Sequence, residues 1–240
     1  MKRGQAKALL VGVGGLGCPA ALALARAGVG TVGLCDDDVV ERTNLHRQIL
    51  FHDADVGAGK VAAAARRLAT LAPALRVQTH GHRLLPENAV DVVAAYDVVL
   101  EGSDNFATKF LAADACRLAG VPVVHASAVR WVGTALAVGP AGGPCYRCLF
   151  EDVPAADAPN CAEAGVVGPV VGIVAAAQVD MALAWMDGAG VAGDLVTVDG
   201  RAGSIRRRTI ARRADCDLCG PRPGIRRIDA AAYNSPACAG

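Results

Sequence analysis

The stretch that decides the fold has the sequence ALLVGVGGLG and runs from residue 8 to residue 17. Four apolar residues lead into glycines at positions 12, 14, 15 and 17, and residues 18–27 are rich in alanine and leucine. This order predicts a strand, a glycine turn and a helix. The spacing fits G-x-G-x-x-G, in which glycine lets phosphate or ribose approach the main chain near a helix N-terminus. A purely structural glycine turn is the alternative.

Strands and helices alternate after this turn. Strands are predicted at 31–35, 76–79, 97–100 and 121–125, and helices at 59–71 and 105–118. The alternation predicts a Rossmann-like α/β fold, in which a mostly parallel sheet has helices on both faces. Beyond residue 129 the pattern predicts strands at 133–138, 195–199 and 204–210, the last two as a hairpin, and a buried helix at 166–185.

The composition excludes several classes of protein. The chain has 240 residues, 53% of them hydrophobic, and a net charge of +1, so we expect one large α/β domain with no general attraction to nucleic acid or membranes. No run of about 18 apolar residues lacks turn glycines, so no membrane span is predicted. Residues 201–240 contain nine Arg and three Asp. They form either a solvated face or a docking surface for an acidic protein.

The residues after the second predicted strand suit a nucleotide. Asp36 lies 24 residues after Gly12, where a carboxylate can accept hydrogen bonds from ribose hydroxyls. These two features alone would fit NAD, FAD or another ligand that contains adenosine. Arg47 and, thirteen residues later, Lys60 add two cations, which a triphosphate requires and a hydride transfer does not. A surface cluster with local ion pairs is the alternative.

Four of the nine cysteines form two C-x-x-C pairs, Cys145 with Cys148 and Cys216 with Cys219. Four thiolates in this spacing predict a tetrahedral structural zinc site, provided that the fold brings the pairs together across 67 intervening residues. Redox pairs or disulfides are the alternatives. The odd number of cysteines argues against a secreted disulfide framework, and we expect a cytoplasmic protein.

Taken together, the motifs resemble the ThiF/MoeB/HesA family, the bacterial relatives of ubiquitin-activating enzymes. The shared elements lie between residues 8 and 220, in the family's order: the glycine turn with Cys18, Asp36-x-Asp38-x-Val40, Asn44 to Gln48, Lys60, Ser103-Asp104-Asn105, both C-x-x-C pairs, and Asn160 to Pro169. The resemblance implies a single ThiF-type adenylation domain over 1–240. Its nucleotide-binding half would cover about 1–130 and its carrier-binding half, with the zinc knuckle, about 131–220, before a tail at 221–240.

The resemblance also implies an activity. With ATP and Mg²⁺, the protein would adenylylate the C-terminal glycine carboxylate of a ubiquitin-like, ThiS- or MoaD-like sulfur-carrier protein that ends in Gly-Gly. Pyrophosphate would be released, for sulfur transfer of the thiamin or molybdopterin type. We expect a homodimer and a separate sulfur donor such as a cysteine desulfurase or a rhodanese.

The implied roles fall on particular residues. Arg47 and Lys60 would stabilise the phosphates, and Asp104 would bind Mg²⁺. Cys161 would link covalently to the carrier, or else be an inert thiol. Asp104 could instead only cap the helix that follows it. The implied nucleotide contacts are Gly12, Gly14, Gly15, Gly17, Asp36, Asp38, Asn44, Arg47, Gln48, Lys60, Asp104 and Asn105.

One feature departs from the family pattern. Family members usually carry an N-terminal helix whose arginine reaches across the homodimer to the partner's ATP, whereas about seven residues precede the first predicted strand here. This difference motivates a second hypothesis, a catalytically weak homologue that binds a carrier or a peptide. A third hypothesis, an NAD(P)-dependent oxidoreductase, rests on the glycine turn alone.

Overall fold

The computed structural model describes residues 2–153 and 165–233. Within them, eight strands form one sheet in the order β3-β2-β1-β4-β5-β6-β7-β8. Strands β1 to β5 pair in parallel, and β5 to β8 pair antiparallel. The strands are β1 Lys7–Val11, β2 Thr31–Cys35, β3 Arg76–His80, β4 Val98–Glu101, β5 Val123–Val129, β6 Val132–Val138, β7 Asp194–Asp199 and β8 Ser204–Thr209. The predicted Rossmann-like class, continued by antiparallel strands, is confirmed.

Helices cover both faces of this sheet. They are α1 Gly17–Arg26, α2 Lys60–Leu71, α3 Ala89–Ala94, α4 Phe106–Ala119, α5 Tyr146–Leu149 and α6 Gly168–Met186. On one face, α1, α2 and α6 bury residues such as Leu24, Leu68 and Val174 in a common cluster. On the other face, α3, α4 and α5 bury a second cluster that includes Phe110 and Tyr146. Short 3₁₀ turns occur at Arg3–Gln5, Arg42–Asn44, Asp53–Asp55 and Ala230–Tyr233.

Helix α6, with 19 residues, is the longest helix in the described residues. Its length and hydropathy would allow it to cross a membrane, and it is the one described helix for which this holds. Its buried residues, among them Val170, Val174 and Val179, pack in the same cluster as α1 and the sheet. Its apolar composition is therefore explained by its place in the core.

The elements differ from the sequence prediction in two instructive places. Strand β4 ends on Glu101 rather than on Leu100, because Glu101 pairs in the sheet with Val11 and His125 and is fully buried. Helix α3 was not predicted at all. Its six residues contain three valines, which favour strands, and it is stabilised by packing Val93 against the second core cluster.

Candidate functional site

A cleft of about 320 Å³ lies at the carboxyl ends of β1, β2 and β4. Ligands of open parallel sheets bind at this kind of position. Where the strand order reverses, the loops after two adjacent strands lead to helices on opposite faces of the sheet and leave a crevice between them. Gly12 has a φ of 91°, and a Cβ on it would lie 3.1 Å from the backbone of Gly102 and Ser103. The glycine turn after β1 and the loop after β4 therefore approach each other closely because residue 12 has no side chain.

The residues predicted to contact a nucleotide lie around this cleft, with one exception. Those that line it are Gly12, Gly14, Gly15, Asp36, Asp38, Asn44, Arg47, Gln48, Lys60, Asp104 and Asn105. Gly17 does not line it: this residue is buried at the start of α1, where a Cβ would lie 2.1 Å from the carbonyl oxygen of Gly12. Gly17 is thus required by the close packing of the turn on its helix.

Asp36 is fixed by the glycine turn itself. Its Oδ2 accepts a hydrogen bond of 2.7 Å from the N–H of Val13, and its Oδ1 accepts one of 2.9 Å from the N–H of Asp38. Burial raises the pKa of Asp36 above its usual value, although Lys60 and these two donors act in the opposite direction. Each oxygen keeps a second lone pair, so the carboxylate can still accept from hydroxyl groups in the cleft.

Lys60 is the first residue of α2 and is almost completely buried. Its ammonium donates to Oδ2 of Asp38 at 2.7 Å, and its backbone N–H donates to the carbonyl of Asp38. The Lys60 side chain is 7% exposed and that of Asp38 66%. The Lys60 ammonium is thus held by a buried side chain, while the Asp38 carboxylate remains open to water. This arrangement allows Lys60 to exchange its contact with Asp38 for a contact with a phosphate oxygen.

The glycine turn also makes room for Arg47 and Gln48. A Cβ on Gly15 would lie 3.2 Å from the Cγ and Cδ of Arg47, and a Cβ on Gly14 would lie 3.7 Å from Nε2 of Gln48. Gln48 is buried, and within the described residues its Oε1 has no hydrogen-bond partner. An unpaired buried acceptor is costly, so an ordered water or a ligand is expected to donate to it.

The loop after β4 carries Asp104 at its exposed tip. The side chain of Asn105 caps α4 by accepting a hydrogen bond of 2.8 Å from the N–H of Thr108. The alternative in which Asp104 caps this helix is therefore wrong. Among the residues that the structure describes, none forms a hydrogen bond or an ion pair with the Asp104 carboxylate, which leaves it available to the cleft.

Several residues of the cleft were missed by the sequence reasoning. Arg83 and Leu84 follow β3 and line the cleft beside Asp37, to which the Arg83 guanidinium is paired at 3.7 Å. Ser127 and Val166 also line the cleft. Arg83 could have been found from its position just beyond a predicted strand, since the carboxyl ends of parallel strands share one edge of the sheet. Ser127 follows the strand predicted at 121–125 in the same way, whereas Val166 carries no such signal.

The two C-x-x-C pairs meet on the face of the sheet that α4 covers. The Sγ atoms of Cys145 and Cys216 are 3.5 Å apart, those of Cys148 and Cys219 3.3 Å, and those of Cys145 and Cys148 3.9 Å. A tetrahedron with Zn–S bonds of about 2.3 Å places sulfurs about 3.8 Å apart, so the four thiols suit such an ion.

The pKa values of these thiols differ. Burial raises the pKa of Cys145. Burial also opposes ionisation of Cys216, but the backbone N–H groups of Cys219 and Leu218, together with the thiols of Cys145 and Cys219, lower the pKa of Cys216 to about 7. Cys161 lies outside the described residues, and its two alternatives stay open.

The fold and the cleft define a Rossmann-like α/β protein with a nucleotide-type site at the carboxyl ends of its parallel strands. The chain belongs to the ThiF family, whose model matches residues 2–218. The resemblance noted in the sequence is thereby confirmed.

Curated relatives carry the name adenylyltransferase and sulfurtransferase MOCS3. The protein from Sus scrofa is 44% identical over 232 residues, which cover 95% of this chain and 51% of the relative. The protein from Dictyostelium discoideum is 36% identical over 225 residues, which cover 92% of this chain and 53% of the relative. The chain thus spans about half the length of the curated relatives it matches.

Solved structures show the same fold. A crystal structure of Escherichia coli MccB with ATP superposes with a TM-score of 0.78 at 22% identity, covering 91% of this chain and 68% of MccB. A structure of PaaA gives a TM-score of 0.73, also at 22% identity, over 88% of this chain and 66% of PaaA. At this identity the likeness supports the fold alone.

Proposed function

We propose that this protein is an adenylyltransferase that activates the C-terminal glycine carboxylate of a ubiquitin-like sulfur-carrier protein with ATP and Mg²⁺. The observation that carries the proposal is the cleft that joins the glycine turn and Asp36 to two cations, Arg47 and Lys60, and to the exposed carboxylate of Asp104. The name of the MOCS3 relatives supports the same class of reaction.

The residues present fit a metal-bound triphosphate. Mg²⁺ prefers oxygen ligands, and the cleft offers the exposed carboxylate of Asp104. Bound there, Mg²⁺ would neutralise charge that develops on the phosphates. Asp36 would hold the ribose, and Asn44 and Asp38 would lie beside the phosphates. Lys60 would exchange its contact with Asp38 for a contact with a phosphate oxygen.

The chemistry requires positioning more than proton transfer. A carboxylate oxygen of the carrier attacks the α-phosphorus of ATP, a new O–P bond forms, and the bond to the β-phosphate breaks with release of pyrophosphate. A carboxylate is already ionised at neutral pH, so no general base is needed. Arg47 and Lys60 stabilise the charge on the transferring group in a partly enclosed cleft, where such contacts are strong.

The four-thiol cluster is proposed to hold one structural Zn²⁺ through Cys145, Cys148, Cys216 and Cys219. Two of these thiols belong to the segment after β6 and two to the segment after β8, so the ion would join these two segments. A closed set of four thiolates leaves no coordination position for a substrate. We therefore assign the ion no part in the reaction.

We further propose that the protein acts in the cytoplasm as a homodimer, for a carrier of the thiamin or molybdopterin type. A separate cysteine desulfurase or rhodanese would supply the sulfur, and Cys161 would form the covalent link to the carrier. These partners follow from the family and not from a contact in the structure.

The test is exchange of labelled pyrophosphate into ATP in the presence of a carrier that ends in Gly-Gly. The matched control is the same carrier without its last two glycines. We expect exchange with the first carrier and none with the second. Tight binding of the intact carrier with no exchange would instead favour the catalytically weak binding homologue. Tight binding of NAD(P)H without ATP binding would favour the oxidoreductase.

A further inference from the structure

Glu101 is a fully buried carboxylate at the end of β4, directly beneath the nucleotide cleft. Its Oε1 accepts hydrogen bonds from the backbone N–H of Ser103 at 2.7 Å and from the Ser103 hydroxyl at 2.5 Å. Its Oε2 lies 2.9 Å from the ammonium of Lys109 and 3.1 Å from Nδ1 of His125. Both oxygens are therefore fully occupied, and each of these four neighbouring groups acts as a donor.

This arrangement requires an ionised carboxylate. Burial opposes ionisation, but Lys109 and His125 outweigh it and lower the pKa of Glu101 to about 2. Burial lowers the pKa of His125, so this ring favours its neutral form, with the proton on Nδ1 facing Glu101. The cluster then holds one negative and one positive charge, which offset each other in the core.

The cluster fixes the loop that carries Asp104. Glu101 binds both polar groups of Ser103, and the ammonium of Lys109 also donates to the carbonyl of Ala126 in β5 at 2.7 Å. On the other side of Asp104, the side chain of Asn105 is held by its cap on α4. The residues before and after Asp104 are thus anchored, although the Asp104 carboxylate itself is exposed in the cleft.

We propose that Glu101 is a positioning residue, which holds the β4–α4 loop so that Asp104 can present its carboxylate to the metal-bound phosphates. The inference rests on the proposed function, because it uses Asp104 as the Mg²⁺ ligand. Glu101 acts through Ser103 and not by touching the nucleotide, since it is fully buried and is not among the residues that line the cleft. Outer partners of this kind commonly change metal affinity or activity by about 10- to 100-fold when they are altered.

Glu101→Asp is the most informative variant. It keeps the charge, but a side chain shorter by one methylene cannot reach Ser103 and Lys109 at once. We expect the half-saturating Mg²⁺ concentration for pyrophosphate exchange to rise about tenfold and kcat to fall. The KM for the carrier is expected to stay unchanged.

Asp114→Asn is the matched control. Asp114 is the other fully buried carboxylate of the described residues, and it is bound by Arg147 at 2.9 Å and by the Tyr233 hydroxyl at 2.7 Å, in the middle of α4 and away from the cleft. This variant also loses a buried ion pair, so it reports the cost in stability alone. Its Mg²⁺ requirement should match that of the wild type. An unchanged requirement in Glu101→Asp, or an equal shift in Asp114→Asn, would overturn the inference.

Two further measurements keep the inference falsifiable. If Glu101→Asp does not fold, Ser103→Ala removes only the hydroxyl contact and should shift the Mg²⁺ requirement in the same direction by a smaller factor; no shift would count against Glu101. Without nucleotide, hydrogen–deuterium exchange of residues 102–105 should be faster in Glu101→Asp than in the wild type and in Asp114→Asn. If Glu101→Asp does not fold, Ser103→Ala takes its place in this comparison. Equal hydrogen exchange in the variant and the wild type contradicts the positioning role, even if the wild type proves to have no adenylylation activity. Failure of carrier-dependent pyrophosphate exchange in the wild type rejects only the proposed function.

Discussion

Lys60→Met separates the catalytic from the structural contribution of one cation. The methionine keeps an apolar stem of similar length and removes the charge. The ion pair with Asp38 spans 2.7 Å, but the Asp38 side chain is 66% exposed, so this pair contributes only about 0–1 kcal/mol to stability. We therefore expect the unfolding free energy to change by less than about 1 kcal/mol.

The effect on the reaction should be much larger. Removing one preorganised donor from a site that stabilises developing charge costs about 3–4 kcal/mol, or a factor of about 10²–10³ in kcat. The assay is carrier-dependent pyrophosphate exchange at saturating ATP, with stability followed by urea unfolding. Arg66→Met is the control, because Arg66 lies on the same helix and forms an exposed ion pair with Asp55 at 3.2 Å.

The control variant should retain nearly the full exchange rate. A Lys60→Met protein that folds and keeps its rate within a factor of about three would show that Lys60 does not stabilise the transition state, given the expected loss of about 10²-fold. An equal loss in Arg66→Met would show that the effect is not specific to the cleft.

Three further outcomes are expected. Asp104→Ala should abolish Mg²⁺-dependent exchange while leaving the urea midpoint unchanged, and near-normal activity would remove Asp104 from the site. The purified protein should contain about one zinc per chain, lost on replacing Cys145 and Cys216 by Ser, and a folded protein without metal would refute the zinc site. The depressed pKa of Glu101 contributes stability that is fully present above the unfolded pKa of 4.5 and is lost as pH falls toward about 2. The loss amounts to roughly 3 kcal/mol. In urea titrations between pH 5 and 2, the unfolding free energy of the double variant Glu101→Gln, Lys109→Met should depend less on pH than that of the wild type. An unchanged pH dependence would refute this contribution of Glu101.

The hydrophobic pattern was sufficient for most of the fold. Strand β2 was predicted with its observed bounds, because its apolar residues are buried on both sides and are followed by charged ones. Helix α3 was missed because a six-residue, valine-rich helix depends on its tertiary neighbours. Local patterns therefore identified the long elements, whereas the two short helices, α3 and the four-residue α5, were not predicted.

The site was predictable only where its chemistry is local in sequence. The glycine turn and Asp36 have a characteristic spacing, and each C-x-x-C pair has a spacing typical of metal ligands or of redox pairs. Glu101 carries no such signal: its role depends on Lys109 and His125, which reach it only in the folded protein. The approach of Cys145 to Cys216 likewise depends on the strands between them, and the sequence supported it only through the family resemblance.

The central claim is best tested by intact-mass spectrometry of a carrier ending in Gly-Gly, after incubation with this protein, ATP and Mg²⁺ and without any sulfur donor. The account predicts a carrier whose mass has increased by one adenylyl group at its C-terminus, with release of an equal amount of pyrophosphate. A carrier that binds the protein but remains unmodified, with ATP unconsumed, would contradict it.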